Sequence, residues 1–153
     1  MHDAARVELV DVTPGNWRDI AAVAPRDDQR AFVAPSAAFY MLLGEREGVW
    51  RSLGLAERGR IVGHAMWAVD PSDGSRWIGG VIVDAPEQGR GLGRAAMAAL
   101  IDHLRALPGP AAIRLSVHPA NARAWALYTA LGFAPTGELE GDERVLELVG
   151  TPG

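Results

Sequence analysis

Residues 88–94 read Gln-Gly-Arg-Gly-Leu-Gly-Arg, after the apolar run 77–83 (Trp-Ile-Gly-Gly-Val-Ile-Val) and before the alanine-rich stretch 95–107. A strand, a glycine-crowded loop and a helix in succession are how a chain builds an anion cradle from bare backbone. Glycine tolerates positive φ and lets ligand oxygens approach main-chain N–H groups without meeting a Cβ. The helix that follows adds unpaired N–H donors and the positive end of its dipole. The segment therefore restricts the fold to one with a strand-to-helix crossover at this point, and it points to a nucleotide-type ligand.

The 153 residues fit one domain, 1–153, with 48% hydrophobic composition and room for a real core. A formal charge of -4 and a pI near 5.5 argue against nucleic acid as a partner and suit a cationic small molecule. All 15 basic residues are Arg, so neither a P-loop lysine nor a Schiff-base lysine exists. With no Cys, a disulfide scaffold, a thiolate metal site and an S-acyl enzyme are excluded. The first residues carry no charged-then-apolar leader pattern, and no apolar run reaches the roughly 20 residues of a membrane span. The expected compartment is the cytoplasm, with no membrane partner and no metal.

Along the chain, Val7, Leu9 and Val12 mark a first strand, and Thr13 is placed to cap a short helix with Pro14 at its first position. Residues 27–48 read as further helix, interrupted before Pro35. Residues 50–57, 60–70 and 77–83 read as three antiparallel strands with turns at Arg58-Gly59 and 71–74. Ala96, Leu100, Leu104 and Leu107 fall on one helical face, with Arg94, Asp102 and Arg105 on the wet side. Ile113, Leu115 and Val117 alternate with Arg114, Ser116 and His118 as a strand with two faces. Asn121 can cap a helix through Leu131, Gly132 ends it, and a final pair of strands runs from Phe133 to near Val149. The tail 150–153 is expected to fray. The order βααβββαβαββ is a mixed α/β (α+β) unit around a mostly antiparallel sheet.

Residues 91–96 also fit the dinucleotide pattern G-x-G-x-x-A. That site wants an acidic residue about 20 positions on, and no Asp or Glu lies between Asp102 and Glu138. Its glycine loop usually opens its domain, whereas this one follows three antiparallel strands. The loop instead resembles the signature Q/R-x-x-G-x-G/A of the GCN5-related N-acetyltransferase (GNAT) superfamily, matched by Gln88, Gly91 and Gly93. A second element of that family follows in order: a strand, Asn121, a helix holding Tyr128, then Leu131-Gly132-Phe133. Residues 29–34 (Gln-Arg-Ala-Phe-Val-Ala), with Trp77-Ile-Gly-Gly and Val83-Asp84, look like the diamine and polyamine acetyltransferase branch.

The resemblance implies a GNAT-like sheet, splayed at the acetyl-CoA site, and acetyl-CoA (coenzyme A) as the cofactor. Its diphosphate would meet the main chain of Gln88, Gly89, Arg90, Gly91, Leu92, Gly93 and Arg94, with Arg90, Arg94 and Arg123 as candidate countercharges. A solvated surface charge is the plain alternative for each Arg. In the family the acetyl-pantetheine arm lies along the strand before the loop, here Val81, Ile82 and Val83, and a main-chain N–H near Val83 would bind the acetyl oxygen. Asn121, Ala124 and Tyr128 would face the same ligand, since positions 121 and 128 share a helical face about 10 Å apart in rise. Tyr128 is the candidate general acid for the departing thiolate, because a phenol of pKa about 10 can donate to it. Packing at the core edge is the other reading of Tyr128, and helix capping the other reading of Asn121.

The acceptor is expected to be a primary amine of a small molecule attacking directly in a ternary complex. An alkylammonium of pKa about 10 must first lose a proton. Family members carry an acidic residue early in the strand before the loop, where this chain has Gly79-Gly80. Asp84, Glu87 and His64 are left as candidate bases, Asp84 first, and the glycines can mark a bulge. Phe32, Tyr40, Trp67 and Trp77 are candidate liners of an aromatic acceptor pocket suited to a cation; no acidic cluster for a long polyamine stands out. Dimerisation is common in such folds, so a homodimer is a further expectation. The competing reading is a non-catalytic acyl-CoA-binding module, favoured by the missing acidic residue and opposed by Tyr128.

Overall fold

The structure, a computed structural model, describes residues 6–149; the tail called to fray lies outside them. The strands are β1 (Glu8–Asp11), β2 (Arg51–Glu57), β3 (Arg60–Val69), β4 (Arg76–Val83), β5 (Ile113–Val117), β6 (Phe133–Glu140) and β7 (Glu143–Leu148). The helices are α1 (Trp17–Ala21), α2 (Ala37–Glu47), α3 (Leu92–Arg105) and α4 (Ala122–Ala130), with 3-10 turns at Asp27–Gln29 and Ala85–Glu87. This is the βααβββαβαββ order read from the sequence. The helix cap at Thr13 does not form: α1 begins later, at Trp17, because Asn16 closes the preceding turn by accepting the Thr13 N–H through Oδ1.

One seven-stranded sheet runs β1-β2-β3-β4-β5-β7-β6, antiparallel at every pair except β4–β5. The β2–β3 hairpin turns on Arg58 and Gly59, at φ 51° and 78°, the paired positive values a two-residue turn requires. The main core lies between the sheet and α3, which buries Leu92, Ala96, Met97, Leu100, Ile101 and Leu104 against Leu53, Leu55, Val62, Ile78 and Leu115. The opposite face carries α1 and α2, around Ile20, Val23, Ala37 and Ile82. No helix among the described residues is long and apolar enough to cross a membrane.

The parallel pair is the feature that makes a site. β4 and β5 are in register only at Arg76–Ile113 and Trp77–Arg114, and beyond these two pairs the strands part. The joined end is held by Arg76. Its backbone N–H donates to the Ala112 carbonyl at 2.8 Å, and its buried guanidinium donates to the carbonyls of Leu104 (2.6 Å), Pro108 (2.8 Å) and Gly109 (2.8 Å). Those acceptors sit at and just beyond the C-terminus of α3, the negative end of its dipole, where a cation is favoured. A bulge adds to the divergence: His64 pairs with Ile82 while Met66 pairs with Gly79, so β4 carries one extra residue opposite β3. Gly80 occupies it at φ 56°, the bulge anticipated at Gly79-Gly80.

Candidate active site

Two adjoining cavities lie along the part of β4 beyond its pairing with β5, of about 430 and about 230 Å3, and the larger reaches across to β5. Phe32, Val33, Val81, Asn121 and Tyr128 line both and mark where they meet.

The smaller cavity opens on the glycine loop. Gly89 and Gly91 stand at φ 87° and 78°, and a Cβ on either would meet nothing within 4 Å; what demands glycine is the backbone conformation, not crowding. Gly91 is the N-cap of α3. None of the six N–H groups of residues 89–94 finds an acceptor among the described residues. Gly89, Gly91, Leu92 and Gly93 line the cavity with Gln88, Val81, Ile82, Val83, Asn121, Arg123, Ala124 and Tyr128. Sequence reasoning passed over Pro25, Gln29 and Leu127 in this lining, since apolar and amide side chains from three segments carry no motif.

Two expectations at this loop are overturned, those for Arg90 and Arg94. Arg90 does not line the cavity: its guanidinium is bound by Glu57 at 2.9 and 3.1 Å and by Glu87. Arg60 grips the other side of Glu87, and these two arginines, Arg60 first, hold the Glu87 carboxyl down at about 2. Arg90 thus fastens the loop to the β2–β3 hairpin. Arg94 is exposed on the first turn of α3 and lines neither cavity. Arg123 is the one proposed countercharge that does line it. Gln88 lines the cavity, but its amide is engaged within the protein, donating to the Val83 carbonyl at 2.9 Å and exchanging hydrogen bonds of 2.8 and 2.9 Å with Gln29. That amide pair ties the helical flap to the loop.

The larger cavity is walled by aromatic and acidic side chains. Phe32, Tyr40, Trp50 and Trp77 line it, as do Asp70, Glu140 and Glu143. Phe32, Tyr40 and Trp77 stand where the sequence put them. Trp67 does not: strand alternation turns it to the α3 face, edge-on to His103 with ring centroids 5.1 Å apart, while its neighbours Met66 and Ala68 line the cavity. The missing acidic cluster is also corrected, because the β6–β7 hairpin brings Glu140 and Glu143 opposite each other as a register pair. No local spacing announces residues gathered from the turn after β3 and from the β6–β7 hairpin.

The candidate bases fare differently. Asp84 lines neither cavity; its carboxylate accepts the Ala24 N–H at 3.1 Å and anchors the loop after α1. Glu87 lies in the arginine network. His64 is fully buried, with Nδ1 2.7 Å from the Gly80 carbonyl and Nε2 3.0 Å from Ser52 Oγ. A carbonyl can only accept, so Nδ1 carries the proton and Nε2 accepts from Ser52. Burial keeps this imidazole neutral, with its pKa lowered to about 4. It is the strut beneath the bulge rather than a base facing the cavity, and its ring stacks on Tyr40 at 5.9 Å. The bulge also explains why no acid stands at 79–80. A Cβ at Gly79 would lie 3.1 Å from the Trp50 ring, and one at Gly80 3.1 Å from Tyr40 and 3.2 Å from His64.

Tyr128 reaches the junction of the cavities from α4 and packs edge-on against Phe133, 6.1 Å between centroids. Among the described residues its hydroxyl has no hydrogen-bond partner. Burial first, then the charges of Glu143 and Tyr40, push its pKa up to about 12, so the phenol keeps its proton at neutral pH. Tyr40 is raised as well, chiefly by burial, and its oxygen accepts the Ala34 N–H at 3.0 Å. Asn121 caps α4 by accepting the Ala124 N–H at 3.3 Å and also lines both cavities.

Known proteins resemble this chain in sequence and in fold. Residues 13–133 match the family described as "Acetyltransferase (GNAT) family". The chain is 35% identical over 97 residues to the spermine/spermidine N(1)-acetyltransferase of Bacillus subtilis (strain 168) and to the probable spermine N(1)-acetyltransferase of Bacillus subtilis subsp. natto (strain BEST195). The aligned stretch spans 60% of this chain and 64% of each relative, just under two thirds of their length. In fold it is similar to the Vibrio cholerae spermidine N-acetyltransferase solved with CoA and spermine, with TM-score 0.71, 18% identity and 93% of each chain covered. The aminoglycoside acetyltransferase AAC(6')-Ib, solved with coenzyme A, superposes with TM-score 0.73 at 20% identity over 92% of each chain. A family match across the span from α1 to β6, joined to a sheet splayed beside a glycine cradle, places this chain within the GNAT acetyltransferases.

Proposed function

We propose that the chain is an acetyl-CoA-dependent N-acetyltransferase acting on a primary amine of a small polycationic molecule, a polyamine or diamine. The observation that carries this reading is the run of acceptorless N–H groups at residues 89–94, four of them (Gly89, Gly91, Leu92 and Gly93) on residues lining a cavity that ends at Tyr128. The residues fit coenzyme A: unpaired amides at a helix N-terminus for a diphosphate, Arg123 for a further phosphate, and the parted edge of β4 at Val81, Ile82 and Val83 for an extended amide-bearing arm. The thioester supplies an activated acyl carbon. The chain's own task is to orient it, bring a neutral amine to it, and return a proton to sulfur from Tyr128.

The acceptor side supports a cation. Five Phe, Tyr and Trp rings and three carboxylates line the larger cavity, a setting that attracts ammonium groups by charge and by the ring quadrupole. The names of the Bacillus relatives point the same way. The rival reading, a module that only binds acyl-CoA, leaned on the missing acid beside Gly79; the fold brings carboxylates to the cavity from elsewhere. The test is thiol release from acetyl-CoA across spermine, spermidine, 1,4-diaminobutane, aminoglycosides and arylamines, with coenzyme A binding followed by calorimetry. Thiol release stimulated most by the aliphatic polyamines is the expected result. Tight coenzyme A binding without stimulation by any amine selects the binding module.

A further inference from the structure

In the proposed reaction the ammonium must give up a proton for which no acceptor has been named, and the inference drawn from this rests on that reading. Of the ionisable side chains lining the larger cavity, most are already committed. Tyr40 and Tyr128 hold their protons. His118 accepts the Ala120 N–H at Nδ1 (3.0 Å) and turns Nε2 toward Asp142 at 3.5 Å, so it offers no lone pair. Asp70 accepts from the backbone and hydroxyl of Ser72 at 2.9 and 2.8 Å, in the turn at the joined end of β4 and β5. Glu140 is exposed. Glu143 is half-buried, and one carboxylate oxygen, Oε1, accepts from Ser116 Oγ at 2.7 Å. Ser116 belongs to the stretch of β5 beyond the two pairs that join it to β4. The carboxylate is thus pinned over the parted end of the sheet, within electrostatic reach of Tyr128 from α4 and Tyr40 from α2.

We propose that Glu143, fixed by Ser116, is the proton acceptor for the amine. The ammonium seats against the carboxylate and passes one proton to it. The neutral amine then forms the C–N bond at the acyl carbon. As the C–S bond breaks, Tyr128 gives its proton to sulfur and recovers one from the acylated nitrogen. The proton on Glu143 leaves to solvent, so one proton is released for each ammonium acetylated. The charged groups that bear on Glu143 are Glu140 across the hairpin, Arg144 beside it, the two phenols, and the His118–Asp142 pair.

The experiment measures acetyl-CoA and spermine turnover for the wild type, Glu143→Gln and Ser116→Ala between pH 6 and 9.5, with coenzyme A affinity as the control for folding. The expected result is a fall in kcat of about 100-fold or more at pH 7.5 for Glu143→Gln, with coenzyme A affinity within about twofold of wild type. The residual rate should climb about tenfold per pH unit toward the amine pKa of about 10, where free amine no longer needs an acceptor. Ser116→Ala should fall between the two. A kcat within about threefold of wild type, even with a raised KM, overturns the proposal and leaves Glu143 as a seat for charge. A wild type silent with every amine removes the functional reading and this one together; an active wild type with an unaffected Glu143→Gln removes this one alone.

Discussion

Burial acts in opposite directions on the Tyr128 phenol and the His64 imidazole. For Tyr128 it raises the pKa to about 12, which keeps the phenol protonated at neutral pH, as the proposed role of acid toward a departing thiolate requires. Tyr128→Phe should lower kcat by about 100-fold while leaving coenzyme A affinity within about twofold, as steady-state rates and calorimetry would show. For His64 burial lowers the pKa from 6.5 to about 4, against the opposing pull of the Gly80 carbonyl. The unfolded chain therefore takes up a proton near pH 6.5 that the folded protein refuses until about pH 4. Stability is full above pH 6.5, declines as pH falls through that window and levels off below it, by on the order of 3 kcal/mol in all. Urea unfolding at pH 7.5 and 4.5 should show most of this difference in wild type, and less than half of it in His64→Asn.

At the scale of elements, the glycine loop is the piece most completely written in local sequence. Its strand, turn and helix need only neighbours, and the positive φ of Gly89 and Gly91 follows from residues that permit it. Gly91→Val should cost about 1–2 kcal/mol through a strained φ, well within the 5–15 kcal/mol typical of a domain. Coenzyme A affinity, read by calorimetry, should fall tenfold or more while the far-ultraviolet dichroism is unchanged. Side-chain destinations were less legible. Arg90 and Arg94 look equivalent beside the loop, yet it is Arg90 that meets carboxylates, Glu87 three positions before it and Glu57 on the β2–β3 hairpin 33 positions away. Trp67 was misassigned by a single step of strand parity, since alternation says that neighbours face apart but not which of them faces the site. Glu143 was invisible for the same kind of reason: its partner Ser116 is 27 residues distant, and only the register of β5 with β7 brings them together.

For the whole molecule, the decisive contact is remote from any chemistry. Arg76 binds the end of α3 to the start of β4 and so sets the point from which β4 and β5 diverge. Arg76→Met would leave three carbonyls without their buried donor, and should destabilise the fold by about 2–3 kcal/mol, measurable as a lower urea midpoint at constant m-value. The element order and the mostly antiparallel sheet were readable because hydrophobic periodicity reports them. The divergence itself was expected from the family likeness alone, because no periodicity distinguishes a strand paired along its whole length from one paired at two residues.

That divergence has a thermodynamic corollary. Two strand edges that part after two pairs leave amide and carbonyl groups without the partners a continuous sheet would give them. A carrier molecule entering between them supplies such partners, and by mass action the folded population grows with its concentration. The protein is in this sense unfinished until loaded, and its heat resistance in a cell would follow the local supply of the acyl donor.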